Sequence, residues 1–323
     1  MEKRMQEIGN SRPHVWAVAV FAAREKPAEL YRTVQAIDAA AAEHTVIDVM
    51  VNGNAGLATE VSRLINLGRS SNASTVIRVW SIFLGDKAHT WNQYVHHVWP
   101  GAKQTFFVDG YVRVRPDALK LLDAGMSAAP YALGGTGVPT TGRTASAAGK
   151  RMLTEGGIHG NLFALTNLVM LQLRQKKFHL PLGIYRTDGT LGAALAFGLD
   201  PSKNGWDLKR RILVHPSVSW ATDEKTWWRY SEIKSQFKRI LRQAQGELEN
   251  CAVKDLLAGR RIAPEMLPHT ASEMVLDWVR LHPNDVQGAL LKNPLVWFAL
   301  KKLREPRDWS AEAQLPRLIS TIQ

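Results

Sequence analysis

Two kinds of hydrophobic pattern alternate along the first 110 residues of the chain. Compact apolar runs, typical of strands buried on both faces, occur at 16–22, 46–51, 75–80 and 104–108. Segments with apolar residues at helical spacing separate these runs: one begins at Pro27, a second covers 58–67, and a third begins at Gly85. This order of elements predicts a parallel sheet with helices on both of its faces.

Polar residues directly follow several of these apolar runs. Arg24, Asn52 and Asp109 each come just after a predicted strand. Parallel sheets of this kind bind ligands beyond the carboxyl ends of their strands. The pattern therefore predicts a ligand site that contains these three residues.

The rest of the chain changes character twice. Residues 134–157 are rich in Gly, Thr, Ser and Ala, which favours a long mobile loop over a site. Helical spacing returns at 163–175 and 189–197, and after Ala221 the chain is predicted to be mainly helical. We expect an α/β domain at 12–225 and a helical C-terminal extension at 226–323.

Charge is the unusual feature of the composition. The 323 residues are 45% hydrophobic and 22% charged, as in ordinary globular proteins, but their net charge is +12. Between Lys203 and Arg242, ten basic residues stand against four acidic ones. A solvated helix face, a pyrophosphate clamp, a membrane-surface patch and a groove for single-stranded nucleic acid all fit that stretch. The interleaved aromatic residues are Trp206, Trp220, Trp227 and Trp228.

Other features bear on location. A single cysteine, Cys251, excludes an internal disulfide and a Cys-rich zinc module, and fits a reducing compartment. The apolar run 15–23 resembles a signal peptide, but it is short and ends at charged residues, which favours a buried strand. We expect a cytoplasmic protein, either soluble or peripheral on the inner membrane face.

Three side chains are candidates for chemistry. Asp109 could orient a sugar hydroxyl or bind a divalent cation, or simply form a turn. Asp188 could be a general base or the N-cap of the following helix. His215 could be a metal ligand, although a lone histidine beside a proline is more often structural. The adjacent His96 and His97 diverge on a helix and do not converge on one metal.

Several established motifs are missing from the sequence. It has no HExxH pair, no Gly-x-Ser-x-Gly elbow, no Walker loop, and no Gly-x-Gly-x-x-Gly after the first strand. These absences disfavour zinc proteases, serine hydrolases, P-loop enzymes and dinucleotide-binding enzymes.

Taken in order, six segments resemble a GT-A glycosyltransferase of the family 2 type. They are Val18–Pro27, Val51–Asn54, Gly85–Asn92, Gln104–Leu119, Gly156–Ala164 and the pair Thr187-Asp188. The resemblance covers about 15–224 and implies a GT-A sheet flanked by helices, so that 12–225 would be a nucleotide-sugar-binding and catalytic domain. It departs from the family at Asp109-Gly110-Tyr111, where Tyr111 replaces the second acid of the Asp-x-Asp motif.

The resemblance implies a role for each matched residue. Asp188 stands where the family has its catalytic base. Asp109, with His215 as a compensating ligand, would hold Mg²⁺ or Mn²⁺; alternatively, cations of the basic stretch would neutralise the diphosphate. The residues implied in donor binding are Ala22, Arg24, Glu25, Asn52, Lys87, Asp109, Tyr111, Gly156 and Gly157.

The implied function is transfer of a sugar, with inversion, from a nucleotide sugar to an acceptor hydroxyl, as in polysaccharide biosynthesis. We expect a UDP-sugar donor, a sugar or lipid-linked acceptor, and no nucleic acid partner. A nucleotidyltransferase of similar fold, a non-catalytic polyanion-binding protein and a transferase fold that binds without turnover are the alternatives.

Overall fold

The structure, a computed structural model, describes residues 14–69, 74–142, 145–223 and 230–323, excepting the side chains of 230–239. The strands are β1 (His14–Ala22), β2 (Val46–Asn52), β3 (Val76–Ile82), β4 (Ala102–Asp109), β5 (Val112–Val114), β6 (Gly134–Pro139), β7 (Leu162–Thr166), β8 (Ile212–Thr222) and β9 (Arg317–Ile322). The helices are α1 (Pro27–Ala40), α2 (Ala55–Gly68), α3 (Lys87–Gln93), α4 (Ala118–Ala128), α5 (Ala145–Glu155), α6 (Asn167–Gln175), α7 (Thr187–Ala196), α8 (Leu208–Arg211), α9 (Tyr230–Lys254), α10 (Ala271–Leu281), α11 (Pro283–Lys292) and α12 (Leu295–Arg304).

One sheet runs through the described residues in the order β5-β8-β6-β7-β4-β1-β2-β3-β9. Its centre confirms the predicted parallel arrangement, because β1 pairs in parallel with β2 and β4, and β2 with β3. The outer part is mixed: β4 pairs antiparallel with β7, and β6 pairs in parallel with β8. The carboxyl ends of β1, β2, β3 and β4 therefore lie along one edge of the sheet.

Helices cover both faces of the central strands, so those strands are apolar throughout. Side chains alternate between the faces. Val18 and Val20 of β1 belong to one hydrophobic core together with Leu30 of α1. Ala19 and Phe21 belong to the other core, on the face that α3 covers. Burial on both sides explains why these strands appear in the sequence as short continuous apolar runs.

The prediction of a mobile loop over 134–157 was wrong. Most of the segment forms β6 and α5, and residues 143 and 144 lie outside the described residues. Its glycines mark close packing: a Cβ on Gly134 would lie 3.1 Å from the Ala164 carbonyl oxygen, and one on Gly137 would lie 2.3 Å from that of Val218. Small residues are needed here because neighbouring backbones leave no room for a side chain.

Two more elements differ from expectation. Residues 162–166 form β7 rather than the start of a helix, and α6 begins only at Asn167. The mainly helical C-terminal section ends in β9, which pairs antiparallel with β3. The predicted domain boundary at 225 lies outside the described residues. No helix of the described part is both long enough and apolar enough to cross a bilayer.

Candidate active site

The loops after β1, β2 and β4 are joined by hydrogen bonds at the carboxyl edge of the sheet. The Asn52 Nδ2 donates to the Ala22 carbonyl oxygen at 3.0 Å. The Gly110 N–H donates to the carbonyl oxygen of Phe21 at 2.8 Å. These bonds bring the predicted residues Ala22 and Asn52 together beside Asp109. The side-chain amide of Asn52 thus holds the loop after β1 in place.

The side chain of Glu25 stabilises the loop after β1 by binding its backbone. Glu25 Oε2 accepts hydrogen bonds from the backbone N–H groups of Ala23 at 2.7 Å and Arg24 at 2.9 Å. The Arg24 side chain is exposed at the edge of the sheet. Glu25 therefore shapes the loop, and Arg24 offers a cation to solvent.

Asp109 contacts a lysine and a tyrosine. Its Oδ1 lies 2.5 Å from the Nζ of Lys87, the first residue of α3. Its Oδ2 accepts a hydrogen bond from the Tyr111 hydroxyl at 3.1 Å, and that hydroxyl also lies 3.0 Å from Asn161 Oδ1. Three residues implied by the resemblance thus form one cluster at the end of β4.

Lys87 and Tyr111 both keep their protons at neutral pH. Burial by itself would lower the pKa of the Lys87 ammonium, but the Asp109 carboxylate, helped by Asp188 and Glu25, raises it above its ordinary value. Burial and the charge of Asp109 raise the pKa of Tyr111. Lys87 therefore remains a cation, and Tyr111 remains a hydrogen-bond donor.

Asp188 lies in the first turn of α7, next to the Lys87 cluster. Its Oδ2 accepts a hydrogen bond from the Gly160 N–H at 2.9 Å, and its Oδ1 accepts one from the Gly189 N–H at 3.0 Å. Asp188 and Lys87 line the same small cleft, whose apolar wall includes Phe163. A fixed carboxylate therefore faces the same space as the ammonium.

His159 is the site residue that sequence reasoning did not single out. Its ring lies 4.9 Å, between centroids, from the ring of Trp220. Burial lowers its pKa, against the opposing charges of Asp188 and Asp109. Its Nδ1 accepts a hydrogen bond from the Asn161 N–H at 3.2 Å, so the neutral ring carries its proton on Nε2. The available signal was its place inside the segment Gly156–Ala164.

The two predicted glycines begin the segment that leads to His159. Both have a positive φ, +84° for Gly156 and +116° for Gly157, which disfavours other residues. A Cβ on Gly156 would lie 3.3 Å from Leu208, whereas one on Gly157 would meet no atom within 4 Å. Gly157 therefore presents bare backbone to open space.

His215 lies elsewhere on the sheet. Its ring packs on α4, 2.9 Å from the position that a Cβ on Gly125 would take, and its Nδ1 accepts from the Ser217 N–H at 3.2 Å. No hydrogen bond or ion pair in the described part of the chain joins it to Asp109. Its assignment as a metal ligand stays a prediction.

The residues at the end of β4 do not fit a divalent cation held by the protein alone. Mg²⁺ and Mn²⁺ favour several oxygen ligands. Here Asp109 supplies a single carboxylate, and its two oxygens already contact Lys87 and Tyr111. Among the described residues, no three His, Cys, Asp or Glu side chains form a group that could hold a metal.

The basic stretch is only partly described. Arg210 stacks on Tyr131, with its Cζ 3.9 Å from the ring centroid. Trp220 is buried beside His159, whereas Trp206 is 55% exposed. Trp227 and Trp228 lie outside the described residues, as do the side chains of Lys234 and Lys238. Of the four tryptophans, the structure thus brings Trp220 to the candidate site.

Comparison with known proteins supports the fold. No family model matches the chain, and no curated protein matches it. The mannosyltransferase PcManGT from Pyrobaculum calidifontis, solved with GDP-Man and Mn²⁺, aligns with 96% of this chain and 84% of its own, at a TM-score of 0.55 and 16% identity. TarS of S. aureus, solved with UDP-GlcNAc, aligns with 90% of this chain and 80% of its own, at a TM-score of 0.48 and 11% identity.

The first of these similarities, together with the sheet order, shows a divergent GT-A-like fold. The structural similarity supports the fold, whereas an identity of 16% means that the chemistry has to be argued from the site itself.

Proposed function

We propose that this chain transfers a sugar from a nucleoside-diphosphate sugar to an acceptor hydroxyl, with inversion at the anomeric carbon. One observation carries the proposal: the Asp188 carboxylate and the Lys87 ammonium line one cleft at the carboxyl edge of a GT-A-like sheet. The mannosyltransferase of similar fold was solved with such a donor. By resemblance we favour a UDP-sugar, and a sugar or lipid-linked acceptor.

The reaction needs a base and a means to stabilise the leaving group. The acceptor oxygen bonds to the anomeric carbon as the bond from that carbon to the diphosphate oxygen breaks, and Asp188 takes the acceptor proton. The electron pair leaves with the diphosphate. A preorganised cation or N–H donor stabilises that developing charge. Lys87 is the cation, and the Nε2–H of His159 is a further donor.

The remaining residues would hold the donor. Asn52 and the loop that Glu25 shapes would bind the nucleoside, with Arg24 at their edge. Asp109 would accept a ribose hydroxyl, with its position fixed by Tyr111. The open backbone at Gly157, next to Gly156, would admit the sugar.

The test is release of nucleoside diphosphate from UDP-Glc, UDP-GlcNAc and GDP-Man, with EDTA or with Mn²⁺. We expect Asp188→Asn to lower turnover by about 10²–10⁴-fold, the usual worth of a general base, while donor binding measured by calorimetry persists. Asp200→Asn, which removes a carboxylate from a surface turn, is the control. Wild-type turnover in Asp188→Asn would refute the assignment.

Parallel assays separate the alternatives. Release of pyrophosphate from UTP or GTP, supplied with a sugar 1-phosphate in place of the nucleotide sugar, would indicate a nucleotidyltransferase, and oligonucleotide binding without turnover would indicate a polyanion-binding protein. The arrangement of Lys87 predicts turnover in EDTA, whereas turnover only with Mn²⁺ would support the metal predicted from the sequence.

A further inference from the structure

The segment 182–186 leads directly into α7 and Asp188, and the C-terminal section binds much of its backbone. The Leu182 N–H donates to the His269 carbonyl oxygen at 2.8 Å, and the Leu182 carbonyl oxygen accepts from the Ala271 N–H at 2.9 Å. Gln245 of α9 donates to the Gly183 carbonyl oxygen at 3.3 Å. Hydrogen bonds from the C-terminal section thus fix the backbone just before Asp188.

Glu249 of α9 makes the central contact. Its carboxylate accepts the Tyr185 N–H at 2.9 and 3.0 Å and the Arg186 N–H at 3.0 Å. The side chain is fully buried, and Gln245 Nε2 donates to it at 2.7 Å. Charge-assisted bonds to two successive N–H groups fix a backbone more firmly than neutral ones. Arg186, which donates the last of these hydrogen bonds, is the residue just before α7.

Packing around Glu249 leaves little freedom. A Cβ on Gly246, one turn before Glu249, would lie 2.5 Å from Arg186 Nε, so α9 approaches the segment closely. Burial raises the pKa of Glu249, and the N–H bonds from Tyr185 and Arg186 offset part of that effect. A buried acid with this many donors indicates a dedicated anchor.

The other half of the site is tied to the same segment. Asp86 caps α3, accepting the His89 N–H at 2.9 Å with Oδ1. Its Oδ2 accepts the Gly183 N–H at 3.1 Å and lies 3.8 Å from Arg307 of the C-terminal section. The start of α3, where Lys87 lies, and the segment before Asp188 therefore share one set of contacts.

We propose that Glu249 is a positioning residue for Asp188, and that the C-terminal helical section is thereby part of the catalytic unit. This inference rests on the proposed function. Misplacement of a catalytic group by about 1 Å can cost about 10² in rate. The proposed donor contacts lie mainly in the loops after β1, β2 and β4, so we expect donor binding to depend far less on Glu249 than the rate does.

The test compares kcat and the donor KM in Glu249→Ala, Glu249→Gln and a matched control, Glu247→Ala. Glu247 lies on the same helix and is exposed. We expect Glu249→Ala to lower kcat by about 10²-fold with an unchanged KM. Glu249→Gln keeps one acceptor oxygen and should recover part of that loss, and Glu247→Ala should match the wild type.

A second variant covers the case in which Glu249→Ala does not fold. Gly246→Ala pushes on the Arg186 side chain without changing charge, and should lower kcat in the same way. Wild-type kcat in both Glu249→Gln and Gly246→Ala would overturn the proposal while leaving the proposed function standing.

A wild type without turnover would instead refute the proposed function. Hydrogen exchange then tests the anchor directly, because the amides of Tyr185 and Arg186 should exchange faster in Glu249→Gln than in the wild type. Equal exchange rates would overturn the anchor as well.

Discussion

Removal of the charge on Lys87 tests the electrostatics of the site. Lys87→Met keeps the length of the side chain but takes away the ammonium that lies 2.5 Å from Asp109. The Lys87 side chain is 38% exposed, so we expect a loss of only about 1 kcal/mol in the free energy of unfolding. Turnover should suffer more, because loss of one donor at a developing charge costs about 10²–10³ in kcat.

The assay is diphosphate release in EDTA, beside urea unfolding of the same variants. Lys87→Arg, which keeps a cation, should retain most of the rate. Lys103→Met is the matched control, since Lys103 pairs with Asp123 at 3.2 Å near the opposite end of β4. A Lys87→Met variant with wild-type kcat would refute the role of the ammonium. A wild type that turns over only with Mn²⁺ would refute the idea that the ammonium stabilises the leaving diphosphate without a metal ion.

Two further predictions concern the loops of the site. Gly53→Ala should lower the free energy of unfolding by about 1–3 kcal/mol in urea melts, because φ is +62° and the new Cβ would lie 2.7 Å from the Gly85 Cα. Gly101→Ala is the control for backbone strain alone, because Gly101 has φ +84° and its new Cβ would meet no atom within 4 Å. If both variants lost the same free energy of unfolding, the steric clash at Gly53 would be refuted. His159→Phe should keep the contact with Trp220 but lower kcat about 10²-fold, whereas His215→Phe should leave turnover unchanged. Loss of kcat in His215→Phe with wild-type kcat in His159→Phe would instead assign the role of hydrogen-bond donor to His215.

The central strands and the polar residues after them were predictable because each signal is local. Buried parallel strands are short apolar runs, and the residues that end them stand at ligand edges whatever the rest of the chain does. Asn52 and Asp109 were found in this way. The apolar run at 163–166 is also local, but a strand and a buried helix look alike at that length.

The glycine-rich segment and the last strand were not predictable for a different reason. Positions 134 and 137 require glycine because the backbones of residues distant in sequence pack against them. The composition of the segment alone suggested mobility. β9 pairs with β3 across more than two hundred residues of sequence. A partner that distant leaves no trace in the local pattern.

The sequence by itself determined the α/β order, the edge where the candidate site lies, and the residue types available there. Only the tertiary structure decided which of them meet. It placed His159 beside Asp188, packed His215 of β8 against α4, paired Lys87 with Asp109, and brought Glu249 against the segment before Asp188. The physical reason is that charge, burial and hydrogen bonding act between neighbours in space, and chain order fixes neighbours only within an element.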